Sequence, residues 1–179
     1  MGKTYANVTV VGTTAAAVIG ALGTAEAYVA DAGDHCVVVF AAADELDGFA
    51  AGITATLLSR ALAVPALEVA VFDDDLLQYQ LVLDGAVVDA GAVPVEVAEE
   101  LAVGEPIPVP DPARLVAALG RGDVDRVAVA LARDAIYVSD LHVDLARALA
   151  LPTWVAGLGF GHLQHGADDR VPVELIRSR

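Results

Sequence analysis

The sequence predicts an α+β fold: a ferredoxin-like β-α-β-β-α-β sandwich extended by a β-meander, followed by a mainly helical lobe with a final strand. Three observations carry this expectation. Short β-branched runs alternate with runs of helical period up to residue 72. Two turn signals, Asp73-Asp74-Asp75 and Asp84-Gly85, then separate further strand-like runs. Beyond a stretch rich in Pro and Gly the period becomes helical. With 179 residues, 56% of them hydrophobic, the chain can build one domain with a real core or two small ones packed together, and intrinsic disorder is excluded.

Tyr5 to Val11 is β-branched and stops at Gly12, hence a strand. Thr13 or Thr14 can cap the helix that follows, in which Ala15, Val18 and Leu22 share a face and Gly23 supplies a left-handed end. Glu26 to Ala30 and His35 to Phe40 form a hairpin around the turn Asp31-Ala32-Gly33-Asp34. Asp44 caps a helix whose Leu46, Phe49, Ala50, Ile53, Leu57 and Ala61 recur at helical spacing until Pro65 stops it. Ala66 to Phe72 returns as a strand, Leu77 to Leu83 alternates like one, and Ala86 to Ala90 completes the meander.

Residues 94–110 read as a linker, with a short acidic helix at Glu96 to Leu101, dividing lobe 1–93 from lobe 111–179. Asp111 as N-cap, Pro112 in the first turn and Gly120 at the end frame a helix carrying Leu115, Ala118 and Leu119. Asp123 opens a second, with Val124, Val127, Ala128 and Leu131 on one side. Ile136 to Val138 suggests a strand, and Asp140 to Leu151 a third helix with Leu141, Leu145 and Leu149 aligned. Pro152 ends it, and Thr153 to Leu163 reads as the last long strand. The segment Arg60 to Pro65 is echoed at Arg147 to Pro152, in both places as a helix end broken by Pro.

Charge is segregated along the chain. Residues 1–111 hold two cations, Lys3 and Arg60, against 17 acids, a net of −15; residues 112–179 hold eight Arg against eight acids. That field opposes phosphate neutralisation and disfavours nucleic acid as a partner. It keeps copies apart in solution, and it can attract a basic partner. The lone Cys36 fits a reducing, cytoplasmic setting. The charge-free run Thr4 to Ala25 is interrupted by Asn7, Gly12, Thr13, Thr14 and Gly20, so it reads neither as a signal peptide nor as a membrane span.

The acidic turn and strand from Asp73 to Leu81, the turn Asp84 to Asp89 and the segment Leu149 to Phe160 together resemble a group of uncharacterised bacterial proteins of similar length. The resemblance covers most of the chain. It implies a stand-alone bacterial protein and brings no catalytic or binding role to these residues.

Candidate chemistry is sparse. His162, His165 and Asp168 offer two imidazoles and a carboxylate, the donor set of a divalent metal with an open position for hydrolysis, although His162 and His165 diverge on a continuous strand. Gly157, Gly159 and Gly161 would leave one strand face bare for a helix or ligand. Asp73, Asp74 and Asp75 could meet a cation or partner but lack the spacing of a calcium loop. Ser139, Asp140 and His142 lie close together without a nucleophile elbow, so Ser139 reads as a helix cap. No complete nucleophile, base and orienting group emerges and no cofactor is implied. The resulting expectation is a non-enzymatic binding or regulatory protein with an acidic interaction surface, a basic protein partner, and a homodimer through an exposed sheet edge. The alternatives are a metal-dependent hydrolase and an acidic inhibitor of a basic effector.

Overall fold

The computed structural model describes residues 2–46, 52–101, 107–166, 169 and 171–178. Among these residues seven strands form one antiparallel sheet: β1 (Tyr5–Val11), β2 (Ala27–Asp31), β3 (Cys36–Ala41), β4 (Ala66–Phe72), β5 (Leu76–Leu83), β6 (Ala86–Val93) and β7 (Leu175–Ser178). Their order across the sheet is β6-β5-β4-β1-β3-β2-β7, so the fold is α+β. The eight α-helices among the described residues are α1 (Ala15–Leu22), α2 (Ala42–Leu46), α3 (Ile53–Leu62), α4 (Val95–Leu101), α5 (Pro112–Leu119), α6 (Val124–Leu131), α7 (Val138–Ala148) and α8 (Phe160–Gln164). None is long and apolar enough to cross a membrane.

Pleating of the sheet explains the layers. Side chains alternate across a strand, so Val8 and Val10 of β1 join Val37 and Val39 of β3 beneath Val18, Leu22, Ala55 and Leu58 of α1 and α3. On the opposite face Leu67, Val69 and Val71 of β4 and Leu77, Tyr79 and Leu81 of β5 meet Leu115, Leu119, Val127, Leu141, Leu145 and Leu149 of α5, α6 and α7. Farther along that face Val38 and Phe40 are covered by Val155, Leu158, Phe160 and Leu163. Residues on both sides of position 100 therefore build the same core.

Local signals place most helix ends. The side chains of Thr14, Asp111 and Asp123 accept from the amides of Ala17, Arg114 and Arg126, and Gly23 and Gly120 close α1 and α5 with φ of 61° and 65°. The echoed segments share a backbone device: Ala63 and Ala150, at matching positions, both turn left-handed, with φ of 53° and 52°. Only the first is followed by a strand; after Pro152 comes a 3-10 turn, Thr153–Val155. Gly91 is required by space, because a Cβ there would sit 2.6 Å from the Tyr79 ring and 2.7 Å from Pro110.

Three expectations are corrected. Thr153 to Leu163 is not a strand: the chain makes the 3-10 turn, passes Gly157 at φ 82° and enters α8. The reason lies in β1, where the Asn7 side-chain amide donates to the carbonyls of both Val155 and Leu158, at 3.1 and 3.0 Å. In an extended strand, at roughly 3.3 Å per residue, those carbonyls stand too far apart for one amide. Ile136 and Tyr137 are exposed and non-strand, and α7 begins at Val138. The final strand is β7, paired antiparallel to β2 from Ala27↔Ser178 to Ala30↔Leu175. In the helix expected from Asp44 to Ala61, Phe49 and Ala50 fall outside the described residues, on either side of which lie α2 and α3.

Candidate functional site

The carboxylates of the β4–β5 turn have separate fates. Asp73 and Asp75 are exposed, whereas Asp74 is buried at the first turn of α7. Its Oδ1 accepts the Ser139 amide at 2.9 Å and its carbonyl accepts the Val138 amide at 3.2 Å. Ser139 was expected to cap this helix; instead it lies inside α7, and Asp74 caps the helix from 65 residues away. Asp73 and Asp74 hold φ of 48° and 62°, a left-handed conformation that Asp adopts more readily than most residues. The N-terminal segment secures the turn: Asp73 Oδ1 accepts the Gly2 amide at 2.9 Å, Thr4 Oγ1 accepts the Asp73 amide at 2.9 Å, and the Lys3 carbonyl accepts the Asp74 amide at 2.8 Å. Lys3 Nζ donates to Ser139 Oγ at 3.4 Å.

Beside this junction lies a buried pair missed in the sequence. Tyr5 Oη and His142 Nδ1 are 3.0 Å apart, and the rings stack with centroids 5.8 Å apart. Burial pushes the His142 pKa down to about 4, so the imidazole is neutral near pH 7. Burial likewise raises the Tyr5 pKa, outweighing the Gly157 amide that faces its oxygen, so Tyr5 remains a phenol. The pair is a neutral hydrogen-bonded clasp between β1 and α7. Its sequence signal is faint: one Tyr, one Asn and one Thr alternating in an otherwise apolar strand, at Tyr5, Asn7 and Thr9.

His162 and His165 fall on a helix end and not on a strand. His162 sits half-buried on α8 with its ring edge-on to Tyr5, centroids 6.4 Å apart, and His165 is exposed at the end of that helix. Asp168 lies outside the described residues, among which no three His, Cys, Asp or Glu side chains form a metal-binding group. Gly157, Gly159 and Gly161 leave no bare strip, because they lie on a turn and at the start of α8. Cys36 is buried, and burial raises its thiol pKa to about 11, far from a reactive thiolate.

Under α3, on the opposite face, Glu68 of β4 is 2% exposed. Burial first, and the Asp44 carboxylate second, raise its pKa to about 7, against the smaller effect of the Gly52 amide. Asp44 Oδ1 in turn accepts the amide of Thr54 in α3 at 3.4 Å. An acid in the centre of the run Ala66 to Phe72 was the available sequence signal.

Acidic side chains gather at the end of the sheet occupied by the β4–β5 turn. Phe72 and Leu76 pack with Val97 and Ala98 of α4, which puts that helix, with Glu96, Glu99 and Glu100 exposed, at the same end of the sheet as the turn carrying Asp73 and Asp75. All five are exposed, and none is in an ion pair among the described residues. Comparison with known proteins returns nothing: no family model matches the sequence, and no curated protein and no solved structure is similar to it.

Removing the buried cap should be costly. Asp74→Ala is expected to lower stability by about 1–3 kcal/mol and Asp75→Ala by under about 0.5 kcal/mol in urea titrations, with Asp74→Asn restoring part of the loss. Equal effects at the two positions would contradict the assigned geometry.

Two of the buried titrating groups push stability in opposite directions with pH. Glu68, with a pKa raised to about 7, binds more protons folded than unfolded, so its contribution falls as pH rises from 4.5 to 7. His142, lowered to about 4, binds fewer protons folded, so its contribution rises with pH from 4 to 6.5. Each is worth on the order of 3 kcal/mol, so the two oppose each other between about pH 4.5 and 6.5. Glu68→Gln should therefore stabilise the protein more at pH 8 than at pH 4.5 and unmask a stability that climbs with pH; a stability gain that does not vary with pH would refute this.

Proposed function

We propose that this chain is a non-enzymatic binding or regulatory protein of the cytoplasm whose acidic surface engages a basic partner. The observation that carries the reading is the group at one end of the sheet: Asp73, Asp75, Glu96, Glu99 and Glu100 are exposed there, and none is in an ion pair among the described residues. Five carboxylates held on a packed helix and a braced turn act as a preorganised field. Such a field speeds encounter with a cationic surface and rejects anionic ones. The charge-balanced remainder, residues 112–179, gives the molecule a direction, since the net negative charge lies in the first 111 residues. We read the scaffold under this surface as a ferredoxin-like sandwich, a reading supported by the strand order β4-β1-β3-β2 and by α1 and α3 sharing one core cluster.

A short arginine-rich peptide tests whether the acidic end is the contact surface. Neutralising Glu96, Glu99 and Glu100 to Gln should weaken its binding at least tenfold at low salt. The same charge removed elsewhere, by Asp31→Asn with Asp34→Asn and Asp84→Asn, should change it less than threefold, although the net charge of the two variants is identical. Equal weakening by both sets, measured by fluorescence anisotropy, would reduce the acidic end to undirected solubilising charge and remove the reading.

A further inference from the structure

Five of the nine arginines, Arg114, Arg121, Arg126, Arg133 and Arg147, lie in the helical layer, where five aspartates balance them. A groove of about 330 Å³ runs between α6 and α7, floored by Val129, Ala130 and Ala148 and rimmed by Arg126, Arg133 and Arg147 with Asp125 and Asp144, three cations against two carboxylates. Arg133 and Arg147 share one carboxylate, Asp144, the latter at 2.6 Å, which leaves the pair with net positive charge. Arg126 has no ion pair among the described residues. The groove is also unusually apolar for a surface. α6 buries only Val127 and Ala130, while Val129 is 71% exposed and Val124 faces out as well. Ile136, 90% exposed, and Tyr137 follow directly. A helix with apolar residues on two faces has one face without a partner in its own chain.

The complementary element is on the same molecule. α4 is a short acidic helix, Glu96, Glu99 and Glu100, that also exposes Val95 and Leu101. A cleft of about 540 Å³ lies between its start, at Pro94, Val95 and Glu96, and the end of α6, at Leu131 and Arg133. Arg133 borders both the cleft and the groove, so the acidic helix and the basic groove are neighbours on one continuous surface. Side-by-side placement of a feature and its complement is what a two-fold interface needs, because each copy then presents both halves to the other.

Building on the acidic-surface reading above, we propose that the partner is a second copy of this chain, with α4 of each protomer seated in the α6–α7 groove of the other. Val95 and Leu101 then cover Val129, and the three glutamates face the three arginines. The charge pairs fix the register, and the buried apolar contacts supply the affinity. This pairing also lets two molecules of net charge −15 associate, since they meet where each carries its arginines.

Sedimentation equilibrium on the full chain, with two charge-reversed variants, tests the arrangement. Wild type should sediment at twice the 18.3 kDa chain mass at micromolar concentration. Arg126→Glu with Arg147→Glu should weaken the dimer at least tenfold. Glu99→Arg with Glu100→Arg should do the same, even though it lowers the overall negative charge and so reduces repulsion between copies. Mixed one to one, the two variants should recover a dimer, because one contact is then wild type and the other is reversed on both sides, so that opposite charges meet in each. Thermal melts matching the wild type show that each variant is folded; a variant that fails this check is replaced by Val129→Glu, which should also yield monomer. A monomeric wild type, or a dimer indifferent to both reversals, overturns the second-copy partner. If the arginine-rich peptide still selects the acidic end, only this inference fails; if the peptide ignores α4, the acidic-surface reading fails independently.

Discussion

A polar group removed from water must find its partner within the protein, and in this chain several such groups on the sheet find theirs across more than 60 residues of sequence. Tyr5 meets His142, Asn7 meets Val155 and Leu158, and Asp74 meets Ser139. Leaving any of them unmatched while buried costs about 1–3 kcal/mol, more than the bond itself contributes. Apolar contacts between the sheet and α7 would tolerate sliding by a residue or so; these hydrogen bonds do not. They select one placement of the helical layer, and the leucines of α5 and α7 then fill the space that placement leaves.

The same constraint organises the surface. Asp74 is spent on the helix start, so Asp73 and Asp75 remain outside, at the end of the sheet where α4 packs. Seating α7 also fixes α6 against it, and the groove between them carries the arginines that the first 111 residues lack. Acidic and basic surfaces thus arise as consequences of one packing arrangement. The buried pair Glu68 and Asp44 lies on the other face and takes no part in it; its effect is on stability and its pH dependence.

Features decided within a few residues were legible in the sequence. Thr14, Asp111 and Asp123 as caps, Gly23 and Gly120 as ends, and the turns at Asp73 and Asp84 all follow from local backbone chemistry. What failed depended on distant partners. Alternating glycines from 157 to 161 imitate the period of a strand, but Gly has little strand preference and the Asn7 amide bends the segment. Ser139 resembles a cap in sequence because Asp74, which performs that role, is 65 residues away. Of Val124, Val127, Ala128 and Leu131, expected on one side of their helix, Val127 is buried and Leu131 packs against the core, while Val124 and Ala128 are exposed; Ala130 is buried as well, and Val129 is left to the groove. The five exposed carboxylates could be counted in the sequence, but their meeting at one end depended on the packing of α4 against Phe72 and Leu76.

The central claim is that these long-range hydrogen bonds make sheet and helical layer one cooperative unit. Native-state hydrogen exchange across a denaturant series measures it most directly. The account predicts that the amides of Leu145 and Leu149 in the helical layer and those of Val8 and Val10 in β1 exchange with the same free energy and the same denaturant dependence, because they open only together. Helical-layer amides that exchange at markedly lower free energy, while those of β1 remain protected, would show that the layer detaches on its own and would contradict it.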